Sequence, residues 1–286
     1  MKKYNWSLKR SVLCAIAPLI MVGCAEEQAA VRPQPPAAVA TPAMAVAETE
    51  RDAKKILRSM AEFMSKSQRF SVNLSSSYEV LQESGQKIEF GESRRITVSR
   101  PNGLRVEVEH SDGEKHLVLY DGKQITTFSP AQNVYAQVSK PGGIDEAITY
   151  FLRDLHMRLP LAALLLSRLP AELERRTQAL DYVEKDIIHG TPVHHLAGRT
   201  ETVDYQVWIP AGVQPLLLRV VLTYKNAEGQ PSFRAQFTDW NLAPEIQDNQ
   251  FAFTPPEGVR KIAFLAQLPQ IALESPTKSG QSGGPK

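Results

Sequence analysis

Cysteine is almost missing from this chain of 286 residues, which has only Cys14 and Cys24. Cys14 lies inside an apolar segment near the start, and Cys24 closes it. A chain that loses that segment and carries an acyl group on Cys24 has no free thiol. Disulfides, a CxxC redox pair, a thiolate metal site and a cysteine nucleophile are therefore excluded. An excess of charge of one sign is also lacking. There are 33 basic and 31 acidic residues, and residues 1–23 take Lys2, Lys3, Lys9 and Arg10 with them, leaving 29 against 31 and a net of −2. Such a balance has no field to gather phosphate backbones, so Arg94-Arg95 and Arg175-Arg176 read as solvated surface charges and nucleic acid is set aside as a partner. No HExxH run and no glycine-rich phosphate loop is present. The apolar run Val12–Val22 is too short to span a bilayer.

That run has the proportions of a secretory signal: a basic start, an apolar middle and a small residue before the cleavage point. Met21-Val22-Gly23-Cys24 resembles the bacterial lipobox, with methionine in place of the usual leucine. The expectation is a lipoprotein signal peptide over residues 1–23 and acyl chains such as palmitate on Cys24. Ala25, rather than Asp, follows the cysteine and points to the outer membrane by the rule for enterobacterial lipoproteins. Residues 24–47 are the acylated cysteine and an Ala/Pro-rich linker, whose composition cannot bury enough apolar surface to order itself. As a coil such a linker averages ~25–30 Å end to end, and as polyproline it reaches ~70 Å. Residues 269–286 read as a disordered Ser/Gly/Pro tail, leaving one folded domain over 48–268.

The domain opens with an amphipathic helix. Ala53, Ile56, Leu57, Met60, Phe63 and Met64 recur at helical spacing, opposite Lys54, Lys55, Arg58 and Glu62. From Phe70 the period changes to two. Alternation over 70–80, 88–98, 104–108, 117–120 and 124–128 predicts strands, and Asp121-Gly122 is a hairpin signature. A helical insertion is expected over 142–176, with Ile144, Ala147, Ile148, Phe151, Leu152 and Leu155 on one stripe. The leucine-rich piece that follows, Leu159–Leu166, has Pro160 placed for a helix's first turn. Strands resume over 182–189, 193–199, 203–209, 216–224 and 233–240. Val203, Tyr205, Val207 and Ile209 share a face, as do Leu216, Leu218, Val220, Leu222 and Tyr224, and Phe233, Ala235 and Phe237. One side of a long antiparallel sheet is thus apolar, with helices available to cover it. A sheet that curls without closing around helices that do not fill it leaves an apolar cavity.

Residues in catalytic or metal-ligand patterns are few. Gly280-Gln281-Ser282-Gly283-Gly284 matches G-x-S-x-G, but lacks the strand and helix that a nucleophile elbow needs. His194 and His195 are adjacent on a strand and point to opposite faces, and His189 with His194 supplies too few ligands for a closed zinc site. Asp145-Glu146 fits a helix's first turn better than a catalytic pair, and Asp239-Trp240 fits a core anchor. No catalytic residue, metal or cofactor is expected.

A resemblance is carried by His195-Leu196-Ala197, Val203-Asp204-Tyr205-Gln206-Val207-Trp208-Ile209, Leu222-Thr223-Tyr224 and Gly229-Gln230-Pro231. It continues in Ala235-Gln236-Phe237-Thr238-Asp239-Trp240-Asn241-Leu242-Ala243-Pro244 and Phe251-Ala252-Phe253-Thr254-Pro255-Pro256-Glu257-Gly258. Arg100-Pro101, Tyr120-Asp121-Gly122-Lys123 and Ile144-Asp145-Glu146-Ala147 fit as well. Together these resemble the predicted periplasmic family known as domain of unknown function 2092, over roughly residues 50–265. The ending also resembles LolA/LolB-type lipoprotein carriers. The resemblance implies an α+β, mainly antiparallel, unclosed half-barrel with a helical lid on its concave face. It implies a non-enzymatic lipoprotein on the periplasmic side of a bacterial membrane, binding a lipid or a lipoprotein acyl chain. An envelope protein-interaction or stress-sensing module of the same fold is the alternative, with an envelope protein as partner. The residues expected to contact the ligand are Met60, Phe63, Met64, Phe151, Leu161, Leu164, Leu165, Val207, Leu218, Val220 and Phe237.

Overall fold

The computed structural model describes residues 42–157 and 159–267. The signal segment, Cys24, residues 25–41 and the tail over 269–286 lie outside the described residues.

Helix α1 (Pro42–Lys66) starts inside the stretch that composition marks as linker. Pro42 suits a first helical turn, and Ala43, Ala45 and Ala47 are strong helix formers, so the alanine that signals a linker also permits a helix. On its apolar stripe Ala53, Leu57, Met60, Ala61 and Met64 are buried, while Lys54, Lys55 and Arg58 are exposed.

Six strands follow: β1 (Arg69–Leu81), β2 (Lys87–Ser99), β3 (Gly103–His110), β4 (Lys115–Tyr120), β5 (Gln124–Ser129) and β6 (Val134–Ser139). Helices α2 (Ile144–Arg153) and α3 (Leu169–Arg176) come next, separated by a 3-10 turn over Ala162–Leu165. Then come β7 (Ala179–Ile188), β8 (Thr191–Arg199), β9 (Val203–Pro210), β10 (Arg219–Tyr224), β11 (Ser232–Asn241) and the short β12 (Arg260–Ile262).

The strands form a single sheet in the order β12-β6-β5-β4-β3-β2-β1-β11-β10-β9-β8-β7. Its pairs are antiparallel except β12 on β6, and β12 and β7 remain as its two edges. The fold is therefore a mainly antiparallel, unclosed sheet with a few helices. The sheet also curls. Val134 on β6 and Val203 on β9 line the same cavity although they lie eight steps apart in the sheet order. On a flat sheet that separation would be about 40 Å, at ~4.8 Å per strand.

Register gathers the apolar residues on the inner face. Phe70, Val72 and Leu74 stand opposite Val98, Ile96 and Arg94, and Val220, Leu222 and Tyr224 opposite Val207, Tyr205 and Val203. Helix α1 packs over β7, β8 and β9 and against α3 and the 3-10 turn. That end of the inner face is a filled core. Gly198 belongs to it, since a Cβ there would lie 2.1 Å from the Tyr205 ring. At the sheet's β11 edge of this core, Trp240 stacks on Phe237 at 5.7 Å and its Nε1 donates to the Leu217 carbonyl at 2.9 Å, as a core anchor.

Three local expectations change. The leucine-rich segment is no continuous helix: Leu161 adopts φ +66, which breaks the first turn that Pro160 would begin, and α3 restarts at Leu169 with Pro170 in its first turn. Strand β10 begins at Arg219, leaving Leu216–Leu218 outside it. Strands β6 and β12 are additional; β6 carries small Ala136 at its centre and β12 is three residues long, so neither gives a clear period-two signal.

Candidate functional site

The other end of the inner face is not filled. A cavity of about 1090 Å³ lies over β2–β6 and reaches the near ends of β9, β10 and β11. It is at the top of the ~300–1,000 Å³ range typical of small-molecule sites. Val108, Val118, Val134 and Ala136 wall it on one side, and Val203, Tyr224 and Phe233 on the other. Phe151, Leu152, Met157, Leu159 and Pro160, from α2 and the segment after it, form the roof. Leu152, Met157 and Ile262 line it and are also exposed, giving an apolar mouth. A second recess, beside Ser67 and Pro244, measures only about 280 Å³.

One part of the lining is charged. On β2 one face runs Ile88, Phe90, Glu92, Arg94, Ile96 and Val98, exposed at its start and buried from Glu92 on, so two charged residues interrupt an apolar alternation. Glu92 is 8% exposed and Arg94 7%, and both line the cavity. Arg94 donates through Nη2 to Glu92 Oε1, which also accepts from Ser76 Oγ at 3.1 Å. Glu92 Oε2 stands 3.7 Å from His110 Nδ1, and the His110 ring meets that of His116 edge-on at 5.2 Å. Burial pushes the Arg94 guanidinium below the ordinary arginine range, while Glu92 opposes that shift. Arginine remains cationic at neutral pH even so.

The roof is tied down by arginine and carboxylate. Arg94 Nη1 donates to the Pro160 carbonyl at 3.2 Å, and Arg100 Nη2 to the Leu165 carbonyl at 2.8 Å. Burial lowers Arg100 as well, with Asp145 opposing. Asp145 accepts from the Ser167 amide at 2.9 Å and from Ser167 Oγ at 2.7 Å, joining the start of α2 to the start of α3. Glu146 Oε2 accepts from the Gly143 amide at 3.0 Å, so the Asp145-Glu146 pair serves the helix terminus.

Of the residues expected at the ligand, Phe151 lines this cavity. Met60, Met64, Leu165, Val207, Val220 and Phe237 are buried in the main core, which α1 fills. Phe63, Leu161 and Leu164 are half-buried against that core, and Leu218 is half-buried just before β10. The apolar faces are legible in the sequence; which end α1 occupies is not. Arg94 corrects a further expectation, for it is buried rather than solvated, whereas Arg175 and Arg176 are exposed. Its even-numbered register with Ile96 and Val98 is the signal that places it inward.

His189, His194 and His195 each meet a different neighbour. His194 Nδ1 lies 3.0 Å from the Tyr182 hydroxyl, His195 stacks on Trp208 at 4.1 Å, and His189 meets Gln236. Among the described residues no group of three or more His, Cys, Asp or Glu is gathered to hold a metal, and no helix is long and apolar enough to cross a membrane. The G-x-S-x-G run falls outside the described residues.

The described residues thus form an open, mainly antiparallel sheet with a roofed, largely apolar cavity. The chain belongs to the family of predicted periplasmic proteins known as DUF2092, whose model matches residues 53–265. Among solved structures it is similar to an uncharacterized conserved protein from Thermus thermophilus, at 10% identity and TM-score 0.45, covering 74% of this chain and 99% of that one. It is also similar to the Mycobacterium tuberculosis lipoprotein LppX, at 15% identity and TM-score 0.43, covering 69% and 100%. A LolA superfamily protein from Nitrosomonas europaea is similar at 13% identity and TM-score 0.33, covering 70% and 97%. No curated protein matches the sequence.

Proposed function

We propose that this protein binds a hydrophobic ligand, a lipid or a lipoprotein acyl chain, in the roofed cavity and performs no catalysis. The observation that carries the reading is the cavity of about 1090 Å³ between β2–β6 and the α2 roof, largely apolar apart from the Glu92–Arg94 patch and open at an apolar mouth. Each methylene removed from water contributes ~0.8 kcal/mol, so eight of them contribute about 6 kcal/mol before the cost of association. Phe151, Val108, Val118, Val134, Ala136 and Phe233 are the contacts proposed for the chain of the ligand. The domain works on the periplasmic side of a membrane, the outer one by the Ala25 rule, held there by acyl chains on Cys24.

One preparation tests both halves. Labelled palmitate fed to cells enters the wild-type chain and not Cys24→Ser. The Cys24→Ser chain, exported behind a plain secretory signal and purified without detergent, yields stoichiometric lipid on solvent extraction. A lipid-free extract from a folded chain that takes up no lipid would defeat the ligand reading. If that chain also held a stoichiometric envelope protein, the interaction-module reading would replace it.

A further inference from the structure

We propose that the cavity selects an uncharged lipid, one with a hydroxyl and an ester in its head, over a fatty-acid anion carrying the same tail. This inference rests on the binding role proposed above and adds the chemistry of the head.

The cavity wall already carries a balanced charge pair. Arg94 is the cation one would assign to a carboxylate ligand, but its charge is met by Glu92 within the same strand. Both groups are more than nine-tenths buried. A carboxylate brought to Arg94 would lie beside the Glu92 carboxylate in a medium that screens poorly, with the desolvation of a third charge added. The other charged groups of the lining do not reverse this. Glu79 is itself anionic and already engaged by Arg234 and Lys87, and His116 is matched by Glu114 at 3.5 Å. His110 faces Glu92. Arg94 is the arginine of the lining and Glu92 meets it, so the buried pair carries no net charge for a ligand to balance.

The hydrogen-bonding groups, by contrast, are incompletely used. Arg94 Nε is buried and has no acceptor among the described residues. A buried donor without a partner is costly, and an ester carbonyl in the cavity is an uncharged acceptor that would satisfy it once the guanidinium turns Nε toward the ligand. Glu92 accepts twice through Oε1, while Oε2, 3.7 Å from His110 Nδ1, has lone pairs to offer a hydroxyl. A head that both donates and accepts therefore fits the pair, and a carboxylate, which only accepts, fits one half of it and opposes the other. Arg94 also donates to the Pro160 carbonyl, so this contact point lies where wall and roof meet and the head would be seated under the roof.

The test compares two ligands with one tail, so that the apolar contribution cancels. Monoolein and oleate, below their aggregation limits at pH 8, displace a pyrene-labelled monoacylglycerol from the full mature chain carrying Cys24→Ser. Monoolein is expected to compete at least about tenfold more tightly than oleate, a difference of about 1.4 kcal/mol or more. Glu92→Gln is expected to tighten oleate and narrow that ratio. Oleate competing as well as or better than monoolein overturns the inference while leaving the hydrophobic site standing. A folded Glu92→Gln chain with an unchanged ratio also overturns it. Failure of both ligands to displace the probe overturns the inference and the binding role together. If Glu92→Gln does not fold, the wild-type ratio decides alone.

Discussion

Removing the Arg94 guanidinium would leave Glu92 buried beside His110 with no counter-charge and free the Pro160 carbonyl from its donor. Breaking one side of a buried pair costs ~3–5 kcal/mol, whereas replacing both sides with apolar groups can be neutral. Arg94→Met should therefore lower stability in urea by about that amount, and Glu92→Leu with Arg94→Met should recover most of it. A single mutant within about 1 kcal/mol of wild type, the range of ordinary surface changes, would contradict the placement of the pair. His194 allows a prediction of pH dependence. Burial lowers its pKa below the ordinary histidine value, and Lys185 lowers it further. The unfolded chain then binds this proton at a higher pH than the folded chain does. Stability should fall as pH drops through the ordinary histidine value, near 6.5, and stop falling from this source once the folded His194 is itself protonated. His194→Gln should flatten that slope in urea titrations at stepped pH; an unchanged slope would remove His194 as its source.

At the level of elements, the roof is not built on a continuous helix. Between α2 and α3 it has one 3-10 turn, and its fixed points are Arg94, Arg100 and Asp145 rather than a helical hydrogen-bond ladder. Asp145→Ala should therefore raise amide hydrogen exchange over 159–168 while leaving β1 and β2 protected. Uniform exchange across the sheet would show that Asp145 holds the fold and not the roof alone. These contacts also mark the boundary of what the sequence can tell. Strand alternation from Phe70 onward and the hairpin at Asp121-Gly122 are readable because bulky residues repeat at period two. Helix α1 is readable because Leu57, Met60 and Met64 repeat at helical spacing. Leu159–Leu166 misleads because an apolar run has no period of its own, and only the left-handed Leu161 ends the helix. Arg94 misleads because a neighbouring Arg95 makes a surface pair the natural interpretation; alternate strand residues face opposite ways, and one of any two must face in.

For the whole molecule, the unclosed sheet has two ends of different character. Helix α1 fills the inner face over β7–β9, and the roof covers the β2–β6 end without filling it. Sequence periodicity marks an entire apolar face but not how much of it a helix will cover. The ligand contacts expected from α1, β9, β10 and β11 therefore fall in the packed half, while the cavity takes Phe151, residues of β3–β5 that alternation marks only as strands, and Val134 and Ala136 of the additional β6. The same division gives the central claim its most direct measurement. Binding of an uncharged fluorescent lipid probe with one acyl chain is compared in two folded variants of the full mature chain, Val118→Phe in the cavity wall and Met64→Leu in the packed core. Val118→Phe is expected to weaken binding at least about tenfold while Met64→Leu leaves it unchanged. Equal affinity in the two variants, or loss confined to Met64→Leu, would contradict that claim.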